Sequence, residues 1–287
     1  MTDKLLDYLR LMRLDRPVGI WLLLWPTLWG LWFAAEGFPG WHILGVFVAG
    51  TVLMRSAGCA INDYADRGFD PHVARTRERP LAAGRITPEE AVRLFVAVSL
   101  IAFGLLTSLR NTLTLVLALP AAALAAGYPF MKRWIAMPQA VLGVAFSWGI
   151  PMAFAAVQHR VDWGLSLALM AANLCWVIAY DTWYAMVDRQ DDLKIGVKSS
   201  AILFGRHDTR VIAALMVASL ALLAGIGLVR GLGAAYWAGW VLAAAVAVHQ
   251  QWRARGREPA QCFRAFLANH YFGLAVFAGL VLEFARR

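Results

Sequence analysis

The amino-acid sequence predicts an all-α integral membrane protein, a bundle of about nine transmembrane helices. Three observations carry this reading. Of the 287 residues, 60% are hydrophobic and 16% charged. Apolar segments about 20 residues long, enough to cross a hydrocarbon core, recur from one end to the other. Lys and Arg gather in alternate connections between those segments. No stretch is rich enough in Gly, Pro or Ser to act as a linker, so residues 1–287 are expected to form a single polytopic domain.

Residues 1–16 carry Leu5, Leu6, Leu9, Met12 and Leu14 between charges, which suits an amphipathic helix lying in the membrane interface. No small-residue cleavage site follows at a convincing distance, so a removable signal peptide is not expected. The spans are then expected at 17–35, 41–60, 91–109, 112–130, 138–157, 163–185, 209–229, 234–252 and 264–285. Pro26, Pro120 and Pro151 fall inside them, which membrane helices tolerate when neighbours satisfy the freed carbonyls.

With these spans, 20 Lys and Arg fall on the side of the N-terminus and the even connections, against five on the other side. The asymmetry puts the N-terminus in the cytoplasm and the C-terminus outside. It also accounts for the net charge of +9 without a nucleic-acid partner. The three cysteines form no C-x-x-C pair and the six histidines never recur at three or four residues, so neither a disulfide framework nor a zinc site is expected.

Carboxylates contribute little to topology, yet 11 of the 18 acidic residues lie in two short regions, 63–90 and 181–208. The first holds INDYADRGFD, with Asn62, Asp63, Asp66 and Asp70; the second holds YDTWYAMVDRQDD, with Asp181, Asp188, Asp191 and Asp192. If helix continues through the first motif, its four polar residues fall at about 0°, 100°, 40° and 80° on one face. Asp181, Asp188 and Asp192 fall at about 0°, 340° and 20°, a narrower stripe. One such pattern alone also describes a solvated loop with surface ion pairs of little energetic value. Two coherent stripes, each at a helix C-terminus where the macrodipole is negative, call for a cation.

Four spans separate the motifs, so both face the same side. Hard oxygen donors in two groups describe Mg²⁺ better than zinc or copper, and Mg²⁺ usually binds together with substrate phosphates. Arg75, Arg77 and Arg79 follow the first motif and Lys194 and Lys198 the second, supplying phosphate-binding cations. Topology by itself also explains basic residues in these loops.

NDYADRGFD with ARTRERPLAAGRIT, and YDTWYAMVDRQDDLKIGVKSSAILFG further on, closely resemble the UbiA-type membrane prenyltransferases. RPVGIWLLLWPTLWGLW and YPFMKRW extend the likeness over nearly the whole chain, towards the subgroup that prenylates 4-hydroxybenzoate in ubiquinone synthesis. The resemblance implies helices around a central cavity open to lipid, in a bacterial-type inner membrane, with the acidic motifs on the cytoplasmic side. It implies metal ligation by Asn62, Asp66, Asp70, Asp188 and Asp192, with Asp63 as ligand or support, through two Mg²⁺ ions bridging the diphosphate. It implies diphosphate contacts from Arg75 and Arg79, and from Arg16 and Lys198.

The implied reaction joins an all-trans polyprenyl diphosphate to the ring carbon ortho to the phenol of 4-hydroxybenzoate. Arg133 or Lys132 is expected to hold the acceptor carboxylate, and Asp181 or Asp191 to take a proton. Tyr64, Tyr128, Phe146, Trp148, Tyr180 and Tyr184 are candidates to shield and stabilise the allylic cation, although most aromatics in such a chain simply pack. Two alternatives remain open in the sequence. One is a prenyltransferase with another acceptor, such as homogentisate, a naphthoate or haem. The other is a secondary transporter of an anionic metabolite, which Arg55 inside the second span favours most.

Overall fold

The structure, a computed structural model, describes residues 2–287 and, among them, contains only helices and their connections. In chain order the α-helices are α1 (Thr2–Leu11), α2 (Val18–Ala35), α3 (Trp41–Asp66), α4 (Pro88–Thr107), α5 (Thr112–Gly127), α6 (Pro138–Ser147) and α7 (Gly149–Gln158). They continue as α8 (Trp163–Ile195), α9 (Ser200–Phe204), α10 (Asp208–Val229), α11 (Ala234–Ala254), α12 (Pro259–Ala268) and α13 (His270–Phe284). Every expected span is helical. Eight helical segments are long and apolar enough to cross a membrane. The remaining expected span, α11, is 21 residues long, but His249, Gln250 and Gln251 dilute its hydropathy.

Two spans are interrupted, each for a local reason. Pro151 lacks the N–H that would bond the carbonyl of Ser147, so α6 ends there and α7 begins two residues later. Asn269 separates α12 from α13, donating to the Ala265 carbonyl at 2.8 Å and accepting from Trp176 at 3.1 Å. The polar side chain at the second break is therefore satisfied within the bundle.

An aromatic core holds α2, α8 and α13 together. Trp29 stacks on Trp176 with ring centroids 5.5 Å apart, and Phe272 and Tyr180 flank Trp176 at 5.2 and 5.3 Å. Helix α13 approaches this closely because residue 273 is Gly: a Cβ there would lie 2.5 Å from Trp25 Cδ1. Helices α11 and α13 cross at Gly239 and Gly279, where a Cβ on Gly239 would lie 2.8 Å from the Gly279 Cα. Leu100, Leu119, Val229 and Val248 are exposed on the periphery, as lipid-facing positions should be.

The helix ends that carry the acidic motifs depart from the expected spans. Helix α3 runs six residues past 60, to Asp66, but does not continue through Asp70. Pro71 disfavours helical geometry in the residue before it, and Asp70 instead opens a short 3-10 turn over Asp70–His72. Helix α8 runs on to Ile195, where Gly196 at φ 73° caps it in the left-handed conformation. The expected stripe at 181, 188 and 192 is thus a single helical face, whereas the first motif is a helix end plus a turn.

Candidate active site

The first motif is wrapped in cations. Asp63, 1% exposed, accepts from Arg13 Nη2 at 2.7 and 3.0 Å and from Arg79 Nη1 at 3.1 Å. Arg79 also donates to Asp70 at 2.8 Å, so one guanidinium joins the helix end to the turn. Burial pushes the Asp70 carboxyl up to about 6 despite Arg79 beside it. Burial opposes the charge on Arg79, but Asp63 and Asp70 outweigh it and hold its pKa above the usual value. Asp66 pairs with Lys132 and accepts from Asn62 Nδ2 at 3.1 Å, while its Oδ1 is buried with no partner. Asn62 in turn accepts from the Tyr128 hydroxyl at 3.3 Å.

The second motif meets the first through Arg75. Its guanidinium grips Asp188 bidentately, the Nε bond being 3.0 Å long, and lies 4.4 Å from the Tyr184 ring centroid. Asp192 lies within electrostatic reach of both Lys132 and Arg75. Asp66, Asp70, Asp188 and Asp192 therefore surround one group of basic side chains. Among the described residues no three His, Cys, Asp or Glu side chains converge into a complete metal cage.

Several candidates lie elsewhere. Arg16 is 74% exposed on its side chain and faces only Asp15. Arg77 pairs with Glu78 on the surface. Asp191 points to the solvent-facing side of α8, 3.2 Å from Lys194. Lys198 donates to the Trp134 carbonyl at 3.0 Å. Tyr64 lies under Arg67, Trp148 is anchored to the Leu117 carbonyl, and Phe146 packs against the core. Tyr128, Tyr180 and Tyr184 do gather, around Arg55 and Asp181.

Neither expected carboxylate holder is free. Lys132 is committed to Asp66, and Arg133 donates to the Ala65 carbonyl while its guanidinium sits between the Phe69 and Phe130 rings. That contact closes the C-terminal end of α3, where the last carbonyls lack intrahelical donors. Arg55 is different. Among the described residues its only hydrogen-bond partner is Cys59 Sγ at 2.8 Å, its Nε is buried without one, and it packs against Gly19 where any larger residue would collide. The sequence marked Arg55 as an ionisable residue inside a span, but not as a group facing this cluster.

The fold defines a polytopic helical membrane protein with a cluster of acidic and basic side chains where α3, α8 and the 128–133 turn meet. The UbiA prenyltransferase family model matches residues 23–274. A 4-hydroxybenzoate octaprenyltransferase of Thiobacillus denitrificans is 57% identical over 100% of this chain and 97% of its own length. One from Chromohalobacter salexigens is 58% identical over 96% and 92%. The chain belongs to the UbiA prenyltransferase family, which sets aside the transporter reading. The apo structure of a UbiA homolog from Aeropyrum pernix K1 aligns with a TM-score of 0.81 at 27% identity, covering 92% of this chain and 97% of that one. A UbiA homolog from Archaeoglobus fulgidus bound to GPP and Mg²⁺ shares the fold, with a TM-score of 0.72 at 18% identity over 96% and 99%.

Proposed function

We propose that this protein transfers a polyprenyl group, an octaprenyl group in relatives of this similarity, from its diphosphate to 4-hydroxybenzoate, at the carbon ortho to the phenol. The observation that carries the reading is the meeting of the two acidic motifs across Arg75 and Lys132. Asn62, Asp66, Asp70, Asp188 and Asp192 suit a divalent cation: the donors are hard oxygens, and the buried Asp66 Oδ1 lacks a partner. With no complete protein cage, an ion here takes further ligands from diphosphate and water, the usual habit of Mg²⁺. Two ions would match the two acid groups. When bound, Mg²⁺ supplies electrostatic stabilisation to the departing diphosphate.

The residues of the chain do the rest. Arg75 and Arg79 exchange part of their carboxylate contacts for diphosphate oxygens and stabilise the charge that develops there. Asp63 supports Arg79 and is left out of the ligand set. Tyr128, Tyr180 and Tyr184 keep water from the allylic carbon and offer ring faces to its positive charge. Arg55 holds the acceptor carboxylate, replacing Arg133 and Lys132 in that role, and Asp181 rather than Asp191 takes the ring proton. In this reading the site faces the cytoplasm of a bacterial-type inner membrane, a placement that the excess of Lys and Arg on that side supports.

The test is incubation of membranes containing the protein with labelled 4-hydroxybenzoate and octaprenyl diphosphate. A lipid-soluble product that needs Mg²⁺ and vanishes with chelator is expected. Absence of product with this acceptor, but formation with homogentisate or a naphthoate, would reassign the acceptor and leave the metal chemistry standing.

A further inference from the structure

The interfacial helix α1 ends in a turn whose geometry asks for glycine. Arg13 N–H donates to the Arg10 carbonyl at 3.0 Å and Leu14 N–H to the Leu9 carbonyl at 3.1 Å. This is the double bond pattern of a Schellman cap, with Arg13 at the left-handed position, φ 57°. A non-glycine residue there is strained, and such strain persists only where surrounding contacts enforce it. Asp63 supplies that contact: both of its oxygens lie within 3.0 Å of Arg13 Nη2.

The same Asp63 is shared with Arg79, which also bridges to Asp70. Asp63 is almost wholly buried, so the division of its charge between two guanidiniums decides where Arg79 sits. With Arg13 in place, Arg79 needs to satisfy Asp63 only in part. Without Arg13, the buried carboxylate would draw Arg79 fully onto itself and away from Asp70. Helix α1 is seated for this task by Leu11, fully buried against Ala60, Leu81 and Ile86, and by the Asp7–Arg85 and Lys4–Glu90 pairs at 2.9 and 2.8 Å.

We propose that Arg13, on the interfacial N-terminal segment, is a positioning residue for the diphosphate site, acting through Asp63 to keep Arg79 available to Asp70 and the diphosphate. The inference rests on the reading of Arg79 as a diphosphate contact. Arg13→Gly tests it, because glycine relieves the strained turn while removing the guanidinium. Loss of a charge-assisted contact predicts a KM for octaprenyl diphosphate raised by roughly tenfold or more. The acceptor KM stays within about twofold, and relief of the strained turn offsets part of the stability lost with the Asp63 contact. Adding Asp63→Asn to Arg13→Gly removes the unbalanced charge and returns the diphosphate KM towards wild type.

Lys4→Gln removes only an exposed ion pair of little energetic weight, so Leu11 still seats α1, Asp63 is untouched and the diphosphate KM is unchanged. An unchanged KM in Arg13→Gly, or an equal rise in Lys4→Gln, overturns the inference. Arg79→Lys separates it from its foundation. If Arg79→Lys raises the diphosphate KM and Arg13→Gly does not, only the role of Arg13 falls. If Arg79→Lys has no effect, the diphosphate reading falls with it.

Discussion

Replacing Arg55 by Met should weaken acceptor binding without weakening the fold, an uncommon pairing of signs. Arg55 carries a charge into the second span with a thiol as its hydrogen-bond partner among the described residues. Its Nε hydrogen is left bare, and the phenols of Tyr128, Tyr180 and Tyr184 and the Asp181 carboxylate lie within its electrostatic reach. A buried charge without a close counter-ion destabilises a fold, so a methionine of similar reach should leave Tm equal or higher. The acceptor supplies that missing counter-ion. Truncating one partner of a desolvated charge pair costs about 2 to 5 kcal/mol, which is roughly thirtyfold to a few thousandfold in the KM for 4-hydroxybenzoate. Initial rates at saturating octaprenyl diphosphate and Mg²⁺ measure it, beside Tm in the same detergent. An acceptor KM within about twofold of wild type would refute the assignment, and a sharp fall in Tm would show Arg55 to be structural.

Other expectations follow from the same geometry. Metal must displace the proton on Asp70, whose carboxyl is raised to about 6 by burial. Below that pH the half-saturating Mg²⁺ concentration should climb, and Asp70→Asn should make the climb shallower. For folding without metal the sign is opposite: the native state binds this proton more tightly than the unfolded chain does. Its contribution to stability is therefore greatest at low pH and is lost as pH rises through about 6, so the Tm gap between wild type and Asp70→Asn should change across that pH. Gly273→Ala would drive a Cβ to 2.5 Å from Trp25 and 2.6 Å from Trp176, an overpacking worth about 1 to 3 kcal/mol, read as a lowered Tm. Arg133→Ala should lower Tm while leaving the acceptor KM unchanged, because its guanidinium closes α3 and the proposed acceptor contact is Arg55.

Hydrophobic segment length made the bundle legible, since a span must be apolar for its whole length whatever it packs against. The interruption at Ser147 has a visible cause in Pro151, whereas the one at Asn269 was not legible, because long apolar runs conceal where neighbouring helices supply hydrogen-bond partners. In the site, the helical spacing of Asp181, Asp188 and Asp192 translated directly into one face of α8. The spacing of Asn62, Asp66 and Asp70 did not, because Pro71 turns the chain before Asp70 is reached. Basic residues were the hardest to read. Arg13, Arg75, Arg79 and Arg133 look alike in a positively charged loop, and only their partners separate a clamp on Asp188 from a cap on α3. Arg55 stood out by its depth in a span, but what it faces depends on how α3, α8 and the Tyr128 turn pack together.

The central claim, that both acidic motifs act as one Mg²⁺ and diphosphate site, is tested most directly by turnover of purified Asp66→Ala and Asp188→Ala in excess Mg²⁺. Each substitution alone should lower octaprenyl transfer to 4-hydroxybenzoate by about a hundredfold or more, since each removes ligands aimed at the developing charge. Near-normal turnover in both variants would contradict the account.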